Sequence, residues 1–137
     1  MRPAADRESA EAGRDDVPDA ALVAARAADA RLGQDTVILD MHDLLVVTDA
    51  FVLTTGANAR QVKTIVEEVE RQVKEATGRA PWAVEGLRDL TWVLMDYGDF
   101  VVHVFSTEAR AYYDLERLWG DAPRLPVGSP AVRAAED

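Results

Sequence analysis

Two apolar runs, TWVLM at 91–95 and FVVHVF at 100–105, are separated by only four residues, Asp96, Tyr97, Gly98 and Asp99. A parallel pair of strands needs a crossover of about a dozen residues or more. The pair must therefore fold back as an antiparallel hairpin, with Gly98 supplying the positive φ of a tight connection. A sheet built on that hairpin needs a layer packed against it.

The covering layer is legible upstream. Val62, Ile65, Val66, Val69, Val73 and Ala76 recur at helical spacing, while Lys63, Glu67, Glu70, Arg71 and Lys74 occupy the other side. Gly56-Ala57-Asn58 opens this helix and Gly78 closes it, with Glu67–Arg71 and Glu70–Lys74 spaced as four-residue ion pairs. An Ala-rich helix is expected from Ala20 to Leu32, turning Leu22, Ala25, Ala28 and Leu32 inward, begun at Pro18 and Asp19 and ended by Gly33. Between the helices, TVILD at 36–40 and AFVLTT at 50–55 lack strict polar alternation, the pattern of strands covered on both faces. Residues 81–86 offer a further short strand. Ser106 caps a last helix over 107–118, with Tyr112, Leu115, Leu118 and Trp119 on its apolar side and Arg110–Asp114 as a surface pair.

This order predicts an α/β (α+β mixed) fold, a single layered domain with a mixed β-sheet flanked by helices. Its expected bounds are 18–122. Residues 1–17 are polar and charged, and 123–137 carry Pro123, Pro126, Gly128 and Pro130, so both read as disordered ends.

The formal net charge is −10. An acidic surface repels phosphate backbones, so direct DNA binding is disfavoured and a basic protein partner fits better. The absence of Cys removes disulfides, thiol catalysis and Cys-rich zinc sites, and suits a reducing cytoplasm. No secretory segment opens the chain and no apolar stretch is long enough for a membrane helix.

Few residues offer chemistry. There are two His, His42 and His103, and His103 lies inside an apolar strand, where a structural or interface role fits better than a base. Asp96 and Asp99 flank the hairpin turn; paired acids bind Mg²⁺ or share a proton, but Asp side chains also shape turns by bonding nearby amides. Thr54-Thr55-Gly56 before a helix loosely matches the phosphate loop of nucleotidyltransferases, yet Asp40, Asp49 and Asp96 are scattered and give no closely spaced metal pair. Trp92, Tyr97 and Trp119 are of a type enriched at interface centres, and Asp89, Asp96 and Asp99 lie beside the first two.

The same residues carry a resemblance. WVLMDYGDFVVHVF at 92–105, continued by EARAYYDLERLWGDA at 108–122, resembles the signature of the ribosomal silencing factor (Iojap-like) family. TDAFVLTTG at 48–56, RQV at 60–62 and VEG at 84–86 are similar to its other blocks, in the same order. The match covers about 20–122. It implies a fold similar to a nucleotidyltransferase core without its catalytic acids, and no enzymatic activity, cofactor or metal. It implies binding to protein fourteen of the large ribosomal subunit, which blocks joining of the small subunit when nutrients are short, and a capacity to form homodimers. By position, the implied contact residues are Trp92, Met95, Asp96, Tyr97, Gly98, Asp99 and His103. Two other readings stay open: a large-subunit assembly factor, and a metal-dependent nucleotidyltransferase-like enzyme using Asp96 and Asp99. One departure is Gly56-Ala57-Asn58, where many relatives carry Gly-Thr-Ser, which argues against a hydroxyl role in that loop.

Overall fold

A computed structural model describes residues 17–127. Helix α1 (Asp19–Ala30) leads into β1 (Gln34–Asp40) and β2 (Ala50–Gly56). Helix α2 (Ala59–Thr77) follows, then β3 (Ala83–Glu85), β4 (Trp92–Asp96) and β5 (Phe100–Ser106). Helices α3 (Thr107–Tyr113) and α4 (Leu115–Leu118) precede a last strand, β6 (Arg124–Pro126). The strands form one sheet in the order β3-β4-β5-β2-β1-β6. Only β2 and β5 run parallel; the other neighbours are antiparallel. The expected mixed sheet flanked by helices is present.

Local chemistry explains the helix bounds. Asn58 Oδ1 accepts from the Gln61 backbone N–H at 2.9 Å and starts α2, while Gly78 (φ 78°) ends it. The stripe Val62, Ile65, Val66, Val69 and Val73 is buried, but Ala76 is exposed. Glu68 is buried on the same helix, accepting hydrogen bonds from Arg71, Gln72 and Arg31. Those from Arg71 and Gln72 are the main reason its carboxyl is held down to about 2. Arg71 reaches Glu68 and Glu75, the pairings that stand where Glu67–Arg71 was expected.

Helix α1 packs through its smallest side chains. Ala20, Ala21, Ala24, Ala25, Ala27 and Ala28 are buried, and they let the backbone lie close to α2 and the sheet. Leu22 is only half-buried, and Leu32, beyond the helix end at φ 65°, is exposed. The turn after α1 is tight because a Cβ on Gly33 would stand 2.3 Å from Thr54 Oγ1.

Helices α1 and α2 cover one sheet face, where Ile38, Val52, Val93, Met95, Phe100, Val102 and Val104 are buried. On the other face, Leu39, Leu53 and Phe105 pack against Ala109, Leu115 and Ala122. The expected continuous helix over 107–118 is broken at Asp114 (φ 45°). The break turns Leu115 inward and leaves Tyr112 and Leu118 exposed. Arg110 does not use Asp114. It pairs with Glu116 at 2.7 Å and donates to Thr55 Oγ1 and the Asp35 carbonyl.

Val17 is buried in the helix-side core, and Arg124–Pro126 pair with Val37–Leu39 as an edge strand, a place that tolerates proline. The rest of the expected arm and tail, 1–16 and 128–137, lies outside the described residues. Among the described residues no helix is long and apolar enough to cross a membrane.

The alanine face of α1 sets a stability test. Ala25→Leu should lower unfolding free energy by about 1–3 kcal/mol through overpacking, whereas the same change at exposed Ala30 should stay within about 0.5 kcal/mol. Urea midpoints measure both, and equal small effects would contradict the close packing.

Candidate functional site

The hairpin pleat sorts its residues into two sets. In β4, Val93 and Met95 face the helices, while Trp92, Leu94 and Asp96 face the other way. Across the sheet Trp92 pairs with Phe105, Leu94 with His103 and Asp96 with Val101. Val101 in turn lies beside Phe51 of β2, and His103 beside Leu53. Helices α3 and α4 cover only part of this face.

The uncovered part is a groove of about 390 Å³. Phe51, Leu94, Val101 and His103 form its floor, the 41–49 connection supplies Leu45, Val47 and Thr48, and Trp82 closes it beside Asp96 and Gly98. Trp82 is 79% exposed, and Val46, Val47 and Leu87 are also exposed apolar side chains. Exposed large apolar side chains on a groove wall are of the kind that interaction sites use. Asp96 lines the groove, and Glu85 pairs across the strands with Leu94 of its floor.

The expected contact residues separate by pleat parity. Trp92 is half-buried, its ring 5.1 Å from Phe105 and 4.5 Å from Tyr113. Its Nε1–H donates to His103 Nδ1 at 3.1 Å. Asp96 and Gly98 line the groove. Met95 and Tyr97 do not reach the surface: both are buried on the helix side, because they occupy the alternate positions of the pleat. Tyr97 stacks on Phe100 with ring centroids 4.6 Å apart, its hydroxyl has no partner, and burial pushes its pKa up to about 12.

The two turn acids are occupied within the turn. Asp96 Oδ1 accepts from the Gly98 N–H at 2.8 Å. Asp99 pairs with Arg79 at 2.6 Å, and Arg79 also donates to the Tyr97 carbonyl and lies over the Phe100 ring. Gly98 has φ 95°, and a Cβ there would meet the Trp82 ring at 2.6 Å. No cluster of three or more His, Asp or Glu with metal-site geometry occurs among the described residues.

His103 is buried and lies edge-on to Phe51 at 4.7 Å. Burial pushes its pKa down to about 4, so the ring is neutral at physiological pH. Sequence reasoning missed Phe51, Leu94, Val101, Trp82 and the wall residues Leu45, Val47 and Thr48. Period-two spacing from Trp92 and Asp96 would have found Leu94; the seating of Trp82 on Gly98 is tertiary and leaves no local signal. A larger hollow of about 740 Å³ lies around Asp35, Arg110, Glu116, Arg117 and Arg124. Arg110 there is paired with Glu116, and Arg124 donates to the Glu116 carbonyl.

A family model described as ribosomal silencing factor during starvation matches residues 14–137. Ribosomal silencing factor RsfS of Bacillus subtilis is 43% identical over 101 residues, covering 74% of this chain and 85% of its own. A crystal structure of a protein from Chromobacterium violaceum superposes with a TM-score of 0.71 at 37% identity, covering 74% of this chain and 84% of that one. More distantly, the mouse protein named mitochondrial assembly of ribosomal large subunit protein 1 is 28% identical over 88 residues, 63% of this chain and 39% of its own.

The parity argument is tested at Tyr97. Its hydroxyl is buried and unpaired, so Tyr97→Phe should leave unfolding free energy unchanged or raise it by about 1 kcal/mol. A clear loss of stability in chemical denaturation would mean that the hydroxyl has a partner.

Proposed function

Because the chain belongs to the ribosomal silencing factor family, we propose that it docks on the large ribosomal subunit through the open sheet face and sterically blocks the small subunit. The observation that carries this reading is the groove itself: an apolar floor left uncovered by α3 and α4, walled by exposed Trp82 and Val47, with Asp96 in its lining. Apolar anchors beside an acid suit a specific protein contact, and the chain's net charge of −10 suits a basic partner. Protein fourteen of the large subunit, a basic protein on the face that meets the small subunit, is the partner that the family resemblance implies. Trp92, Asp96, Gly98 and His103 build this face, Asp99 fastens its turn to Arg79, and Met95 and Tyr97 support it from beneath.

In this reading the protein acts by occupancy, in the cytoplasm, with neither cofactor nor catalytic step. The bonds already made weigh against the Mg²⁺-dependent alternative: Arg79 takes both Asp99 oxygens, and Asp96 Oδ1 accepts from the Gly98 N–H. A homodimer formed through the same apolar face would compete with the ribosome. A second reading, action during large-subunit assembly, is favoured by the printed name of the mouse relative. It uses the same surface and differs in the state of the subunit bound.

Trp82 tests the surface without disturbing the core. Being largely exposed, Trp82→Ala should change stability by no more than about 0.5 kcal/mol. As an interface aromatic it should weaken co-sedimentation with purified large subunits by about tenfold or more. Unchanged binding would remove the groove from the proposal.

A further inference from the structure

Among the described residues, three buried side-chain polar atoms have no hydrogen-bond partner: Tyr97 Oη, Thr48 Oγ1 and His103 Nε2. Tyr97 lies beneath the helices, but Thr48 and His103 both line the open groove. A buried polar atom left unpaired is costly, and native proteins keep few of them. Two such atoms in one groove mark a place where a ligand supplies the missing partners.

Their chemistry narrows that ligand. Indole Nε1–H is a donor only, so His103 Nδ1 must accept from Trp92. In the neutral ring the proton then sits on Nε2, an N–H donor buried at the groove residue His103. The Thr48 hydroxyl can accept or donate. Lys and Arg side chains carry donors alone and would leave His103 unpaired. A carboxylate would accept, but it would lose its hydration among Phe51, Leu94 and Val101 with Asp96 close by. A neutral carboxamide carries the acceptor that His103 lacks and a donor for Thr48 on one planar group, and its methylene stem suits the apolar floor.

We infer that the groove takes the side-chain carboxamide of an Asn or Gln from the docked partner, its oxygen accepting from His103 Nε2–H and its nitrogen donating to Thr48 Oγ1. The inference rests on the proposed docking to the large subunit and adds the chemistry of the anchor. Basic side chains flanking the anchor meet Asp96 and Glu85. Trp92 is a positioning residue here, since it fixes the His103 tautomer.

The test uses the full-length protein and purified large subunits. Trp92→Phe combined with His103→Phe removes the donor, its acceptor and the unpaired Nε2 together while keeping an aromatic ring at each position, and Thr48→Val removes the hydroxyl at nearly constant shape. The double variant should bind about tenfold or more weaker, because the partner's amide oxygen is left buried and unpaired. Thr48→Val should bind severalfold weaker. Nitrogen NMR of the free wild type should find the His103 proton on Nε2, and Trp92→Phe alone should redistribute it between the two nitrogens. Wild-type binding that survives within twofold in either folded variant overturns the inference, as does a proton on Nδ1. So does a structure of the complex with a basic or purely apolar side chain on the groove floor. Should the wild type itself fail to bind, the docking proposal falls and this inference falls with it.

Discussion

The strict alternation of the β4–β5 hairpin governs both what holds the domain together and what it shows to a partner. Successive side chains leave opposite faces of a strand, so one register choice settles every position at once. Val93, Met95, Val102 and Val104 go beneath α1 and α2. Fully burying a side chain of this size contributes roughly 1.5–3 kcal/mol, and a one-residue slip would forfeit several such terms while burying Asp96. The register is pinned at the turn, where Arg79, just past the end of α2, grips Asp99, the Tyr97 carbonyl and the Phe100 ring. The helix layer and the hairpin are thus fastened to each other at the point where the strand reverses.

The opposite face follows as a remainder. Two short helices, offset by the left-handed residue Asp114, protect Leu53, Leu39 and Phe105 and stop there. Phe51, Leu94, Val101 and His103 are left under a groove, with Trp82 seated on Gly98 at its edge. A second layer that ends early leaves apolar surface exposed, and such surface is retained where it serves binding. The chain's net charge of −10 then acts on which partner is met, drawing basic surfaces and repelling bare phosphate.

How much of this was legible depended on whether the determinant was local. The four-residue connector dictated the hairpin, and the valine stripe with Asn58 and Gly78 at its ends dictated α2. The family blocks located the turn region. The pleat parity that buries Met95 and Tyr97 was also present in the sequence, but it needs the sheet side of the helices before it can be read. Other features have no local signature. Asp114 breaks its helix because Leu115 finds a core on the far side, and Arg124–Pro126 form a strand only because β1 offers an edge. Glu68 is buried because Arg31, thirty-seven residues away, arrives beside it. Interactions between distant segments are set by packing, which periodicity in one segment does not report.

The proposed silencing rests on the open face occupying the large subunit. It is tested by joining mature, purified subunits in the presence of rising protein and following the products by sedimentation. Full-length protein should lower the yield of joined ribosomes in proportion to large subunits occupied, and protein unable to hold that face should leave joining intact. Undiminished joining by large subunits that carry the bound protein would contradict it, and would move the action to subunit assembly.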